Sequence, residues 1–165
     1  MSNIYMKFEA PSIAGNSQTP GHKGEIDVLS WNHSFEQPTS PTRSQAGPGT
    51  IEPAKHANFI FTKYVDSSTN ELLKYCWQGK QIGKATLACC RGDGSPDKQV
   101  EYLTIVMEHV VIANYSVSTG PVGVLIENVA LDYGIVQYNY KPLKEGKATN
   151  KVLSAKHNLQ TGEIE

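Results

Sequence analysis

A mostly β domain with a single short helix is the fold class this sequence predicts, and three observations predict it. Apolar and polar residues alternate with period two in most of the apolar segments, as half-buried strands require. Only Ser68 to Gly79 places apolar residues at helical spacing between a start signal and a stop signal. Clusters of Gly, Pro, Ser and Asn separate the alternating runs and supply turns and loops. The 165 residues suffice for one core, so residues 1–165 are read as a single domain.

Ile4, Met6 and Phe8 alternate with Tyr5, Lys7 and Glu9, which predicts an opening strand. Pro11 to Gly24 reads as a loop. A second strand runs from about Glu25 to Gln37. Its apolar phase changes from Ile26 and Val28 to Leu29, Trp31 and Phe35, which predicts a bulge near Val28–Leu29. Residues 38–56 carry four prolines and two glycines, which exclude a helix or a central strand. A structureless connection of that length is uncommon in a small domain and is usually functional or disordered. It is read as a functional arm.

A third strand covers about Ala57 to Val65, with Phe59, Phe61 and Lys63 on one face. The helix spans about 68–78. Ser68 and Glu71 have the spacing of a capping box, Leu72, Leu73, Cys76 and Trp77 recur at helical spacing, and Gly79 ends it. Ala85, Leu87 and Cys89 mark a fourth strand, closed by a turn from Arg91 to Pro96. Val100 to Ala113 reads as a long strand with apolar residues on both faces. Leu103, Ile105, Met107 and Val111 lie on one side, and Val100, Tyr102, Val106, Val110 and Ile112 on the other. That pattern predicts a second cover, from this chain or a neighbouring subunit. After a turn at Ser118–Gly123, a last long strand spans about Leu125 to Tyr140, with a bulge at Gly134 where the phase breaks. Residues 144–150 form a polar turn, and Val152 to Leu159 adds a final edge strand.

The 15 basic and 16 acidic residues nearly cancel and are scattered, so nothing electrostatic favours nucleic acid or an anionic membrane as partner. The longest uncharged apolar run, Val110 to Ala113, cannot span a bilayer. No secretory signal is read at the N-terminus. Cys76, Cys89 and Cys90 match no CxxC pattern, which points to a reduced folding compartment with neither disulfide nor metal.

Candidate chemistry is sparse. Gly79-Lys-Gln-Ile-Gly83-Lys84-Ala85 resembles a phosphate-binding loop, but it is one residue short, lacks the final hydroxyl and follows a helix. His22, His33, His56, His109 and His157 show no metal-ligand spacing and are expected at solvated or interface positions. Cys89 is expected in the core and Cys90 on the opposite face, where Arg91 alone does not make a reactive thiol. Trp31, Trp77 and the tyrosines are read as core and interface packing rather than a ligand surface. No catalytic, cofactor-binding or metal-binding residue is nominated, and an enzyme is not expected.

A series of local signatures narrows this. Gly21-His22-Lys23-Gly24-Glu25-Ile26-Asp27-Val28-Leu29-Ser30-Trp31 resembles the second-strand signature of the haemolysin-coregulated protein (Hcp) family. Phe59 to Asp66 followed by Ser68 resembles its strand-to-helix signature. Cys76 with Gly79, Ala85-Thr-Leu87, Val100 to Leu103, Glu127 to Leu131 and Tyr140-Lys-Pro142 follow in family order. Thr69-Asn70 departs from the Ser-Pro often found there, Asn32-His33 departs from the usual small residues, and the tail 143–165 matches least.

The resemblance implies a fold similar to phage tail-tube proteins: a closed β-barrel of two antiparallel sheets with one flanking α-helix. It implies a structural subunit of the type VI secretion tube, needing no cofactor, that forms homohexameric rings and stacks them. Implied partners are further copies of itself, a contractile sheath, a spike protein and small effector proteins in the lumen, with no nucleic acid and no membrane. The protein would be cytoplasmic when assembled and then secreted without a signal peptide. The arm would join subunits and rings, through Thr39, Pro41, Arg43, Gln45, Thr50 and Glu52. The competing reading is a monomeric small-ligand-binding β-barrel.

Overall fold

The computed structural model describes residues 3–39, 52–92, 99–144, 147–148 and 150–165. Its strands are β1 (Ile4–Glu9), β2 (Ile26–Asp27), β3 (Ser30–Asn32), β4 (Phe35–Glu36), β5 (Lys55–His56), β6 (Phe59–Tyr64), β7 (Ile82–Gly92), β8 (Gln99–Thr119), β9 (Leu125–Asp132), β10 (Ile135–Tyr140), β11 (Leu143–Lys144), β12 (Lys147–Ala148) and β13 (Leu153–Asn158). One helix, α1 (Thr69–Gln78), lies between β6 and β7.

Nine strands form one sheet in the order β2-β1-β7-β8-β9-β6-β3, with β10 pairing β8 and β13. The named pairings are antiparallel. β8 faces β9 with its C-terminal part and β10 with its middle, so β8 and the β9–β10 run make one long hairpin. Two short ribbons, β4–β5 and β11–β12, stand apart from this sheet. The hydrogen-bonded path has two ends, β2 and β3, and only Val28 and Leu29 separate them in the chain. The Val28 N–H donates to the Ile4 carbonyl at 2.9 Å, and the Leu29 N–H donates to the Thr62 carbonyl at 2.8 Å. The expected second strand is thus three short ones, and its break falls at Val28–Leu29.

The sheet folds over a core of Met6, Phe8, Ile26, Phe59, Phe61, Leu72, Leu87, Ile105, Met107, Val129 and Leu131, all buried. Each large side chain removed from water in this way contributes about 1.5–3 kcal/mol. Phe59, Phe61 and Lys63 share the inner face of β6, as their alternation predicts.

Helix α1 buries Leu72 and exposes Trp77. It ends at Gly79, whose φ of 63° only glycine adopts freely. The Gly79 N–H donates to the Cys76 carbonyl and the Lys80 N–H to the Tyr75 carbonyl, the paired bonds of a Schellman motif. The start differs from expectation. Ser68 makes no capping bond to the helix; its backbone N–H and its hydroxyl both donate to Asp66 Oδ1. Glu71 reaches Lys74 at 3.4 Å instead of turning back to Ser68. Asp66 lies two residues closer to the strand and is already held by Lys63, so its carboxylate orders the turn that enters the helix.

The two-faced reading of β8 also needs correction. Ile105, Met107, Val110 and Ile112 are all buried in the same core. His109 lies between Met107 and Val110 with a φ of 56°, and this left-handed residue switches the strand's phase. A register shift against β9 follows between Ile112 and Asn114. Much of the apolar character assigned to a second face is therefore this chain's own core. The predicted break at Gly134 lies between β9 and β10, where the Gly134 N–H donates to the Glu108 carbonyl at 3.0 Å. The final edge strand is β13, paired with β10 from Ile135↔Asn158 to Tyr140↔Leu153.

Candidate assembly surface

The arm's root is built by its ends. Phe35↔His56 and Glu36↔Lys55 pair as the β4–β5 ribbon, and the Gln37 side chain donates to the Glu52 carbonyl at 2.7 Å. Of the expected arm contacts, Thr39 and Glu52 are exposed at this root. Pro41, Arg43, Gln45 and Thr50 lie outside the described residues.

The ribbon is fastened by residues that sequence spacing does not bring together. His33 reaches Tyr138 and Tyr133, and His56 reaches Tyr133 and His157, each within hydrogen-bond distance. Phe35 packs edge-on against His56 and Tyr138. Burial, then the neighbouring His56, pushes His33 down to about 4, with the Ala57 backbone opposing. Burial, then His157, lowers His56. Burial raises Tyr138 to about 12, and burial with Tyr138 and Asp132 raises Tyr133. His33, His56 and His157 are thus half-buried partners in one cluster rather than scattered solvated groups.

His22 departs from that expectation too. It is buried and stacked on Tyr5 at 4.2 Å, with Nδ1 2.8 Å from Glu25 and Nε2 3.5 Å from Cys90 Sγ. His109 alone is exposed, as expected. Cys89 and Cys90 do face opposite ways, across a register shift, but both are buried. Cys89 joins the main core and Cys90 a smaller cluster with Tyr5 and Ala88. Burial, Glu101, Cys89 and Glu25 drive the Cys90 thiol up to about 12, which suppresses the thiolate a nucleophile needs.

A buried charge pair lies under the start of α1. Lys63 contacts Glu127, with both side chains fully buried, and reaches Asp66 at 2.9 Å and the Tyr64 carbonyl at 2.9 Å. The Tyr115 hydroxyl donates to the other oxygen of Glu127, and this burial and pairing raise Tyr115. The spacing of Lys63 marks it as inward-facing but does not name its partner.

The outward face of β3, β6, β9 and the end of β8 presents three rows of residues without formal charge, and its nearest charge is the exposed Asp132 at the C-terminal end of β9. One row across it is Ser30, Thr62, Asn128 and Ser116, and the next is Asn32, Ile60, Ala130 and Asn114. The Ser30 hydroxyl donates to Thr62 at 3.1 Å and the Thr62 hydroxyl to Asn128 at 3.2 Å, so the first row is stitched across strands. A third row, Tyr64, Ile126 and Ser118, leads to an apolar tip with Val122, Val124 and Leu125 exposed. Sequence alternation places these residues outward but does not show that strands so far apart align them. Among the described residues no group of acidic, His or Cys side chains forms a metal site, and no helix is long and apolar enough to cross a membrane.

Residues 5–140 match the family model described as type VI secretion system effector, Hcp. The chain is 37% identical to the protein hcp1 of Pseudomonas aeruginosa over 144 residues, covering 86% of this chain and 85% of that one. It is similar to the crystal structure of Hcp1 from Salmonella typhimurium, with TM-score 0.78, 26% identity and complete coverage of both chains. A solved type six secretion system protein shares the fold at TM-score 0.87 and 23% identity, again over both full chains. The chain belongs to the Hcp family of type VI secretion system proteins.

Proposed function

We propose that this protein is the structural subunit of a type VI secretion tube, assembling as six-membered rings that stack and are exported, with no catalytic step. The observation that carries the reading is the set of three uncharged rows on the outward face of β3, β6, β9 and β8. The Ser, Thr and Asn side chains of these rows hydrate readily, Ile60, Ala130 and Ile126 lie among them, and no fixed charge in the rows holds cargo, as the lining of a channel should. We assign this face to the lumen, where small effector proteins would travel. The arm rooted at β4–β5 joins subunits and rings, and a sheath and spike are the outer partners.

The joint of β2 and β3 through Val28 and Leu29 supports a barrel closed by this strand, which touches β1 with one half and β6 with the other. Closure would remove exposed edges, and ring symmetry would cover the remainder. Against a monomeric ligand-binding barrel stands the interior, which is filled by Phe8, Phe59, Phe61, Ile105 and Met107.

Native mass spectrometry tests the reading. A species of six times 18.1 kDa is expected at micromolar concentration, and monomer alone would overturn it.

A further inference from the structure

Three histidines and two tyrosines meet at the root of the arm in one unbroken line. Tyr138 Oη is 2.5 Å from His33 Nδ1, and His33 Nε2 is 2.6 Å from Tyr133 Oη. Tyr133 Oη is 2.7 Å from His56 Nδ1, and His56 Nε2 is 2.8 Å from His157 Nδ1. His33 precedes β4 and His56 belongs to β5, whereas Tyr133, Tyr138 and His157 belong to the β9–β10 run and β13. The line therefore ties the ribbon to the body.

Proton counting shows what this arrangement tolerates. A neutral imidazole has one donor and one acceptor nitrogen, and a tyrosine hydroxyl has one proton to give. With three neutral rings, one head-to-tail direction satisfies all four links. One added proton is accommodated, because the charged ring donates both ways and the other groups point away from it. Two are not. Protons on His33 and His56 aim two N–H groups at the Tyr133 oxygen and leave its own proton without an acceptor. Protons on His56 and His157 set N–H against N–H. The rings are also packed against Phe35 and Phe59, which give no solvation to a second charge.

The neighbouring charges do not relieve this. Asp132 lies beside Tyr133, where it accepts the Tyr133 backbone N–H. Glu36 and Lys55 are exposed on the ribbon itself. Lys156 adjoins His157 on β13, and Glu163 and Glu165 return along that strand. Among the described residues, the histidine ion pairs are those of His22, away from this line.

We propose that the line is an acid-released latch: with neutral rings it clips the β4–β5 ribbon to β10 and β13, and a second proton frees the ribbon while the sheet stays folded. The docked state binds fewer protons than the released state, in which His33 and His56 return to an ordinary value near 6.5. Docking is therefore complete above that pH and is lost as pH falls toward about 4, the docked value of His33. The latch concerns the ribbon on its own body, so it does not depend on the arm joining subunits.

The test is amide hydrogen exchange on the intact chain, corrected for intrinsic rates, together with histidine ring titration by NMR. A freed two-stranded ribbon is barely stable alone, so its amides lose protection. Protection at Glu36, Lys55 and Ala57 should fall tenfold or more between pH 7.5 and 4.5, while β1 and β7 hold. The Tyr133→Phe variant, which cuts both central links without adding charge, should show a loose ribbon already at pH 7.5 and little further change. Unchanged ribbon protection in the native protein at pH 4.5 overturns the proposal by itself. So does a Tyr133→Phe protein that keeps the native pH dependence.

Discussion

Cys89 and Cys90 are neighbours in sequence, yet a register shift gives them different surroundings and different sensitivities. A hydroxyl at position 89 would sit in the core with the Trp31 side chain as its polar neighbour, so Cys89→Ser should cost about 1–3 kcal/mol. At position 90 a hydroxyl can bond to His22 Nε2, so Cys90→Ser should cost less, and urea unfolding of the two variants will rank them. Equal costs would show that the bulge is misplaced. Lys63 is the more demanding position. Lys63→Met strands Glu127 in the core and should destabilise by about 3–5 kcal/mol, whereas adding Glu127→Leu should restore much of the loss. If the double variant is no better than the single one, the pair is not the coupled unit described above.

The helix start separates two accounts of one element. Asp66→Ala removes the acceptor of two Ser68 donors and a partner of Lys63, so it should cost about 1–2 kcal/mol. Glu71→Ala should change stability by less than about 0.5 kcal/mol, since only exposed Lys74 is lost. Comparable losses would reinstate the capping box. Replacing residues 40–52 with a short Gly-Ser linker should leave the thermal midpoint nearly unchanged and abolish tubes and secretion. A variant that still stacks would move the assembly contacts to the strand edges. These elements also show what was legible in advance. β1, β6, the end of α1 at Gly79 and the Gly134 break follow from local alternation and backbone freedom, which are written in consecutive residues. The phase of β8 was misread because one left-handed residue, His109, has no local signature. The arm's fastening was invisible because His33, His56 and His157 lie on three separate segments, and only the fold brings them together.

At the scale of the molecule, the outward face of β3, β6, β9 and β8 makes a prediction about cargo. Asn128→Arg would place one added charge per subunit on that face. It should leave the ring mass unchanged and alter which effectors are protected or exported, measured by co-purification with the ring. Unaltered cargo would place the lumen elsewhere. The joint at Val28–Leu29 has a further consequence, and it concerns time. The segment Ile26–Asn32 is made early, but β1 waits for β7 at residues 82–92, and β6 waits for β9 at 125–132. At roughly 5–20 residues per second, a ribosome needs about 5–20 seconds to supply those hundred residues. Throughout that interval the newborn chain carries unpaired strand edges. Slower codons between residues 60 and 120 should therefore lower the soluble yield of an otherwise identical protein.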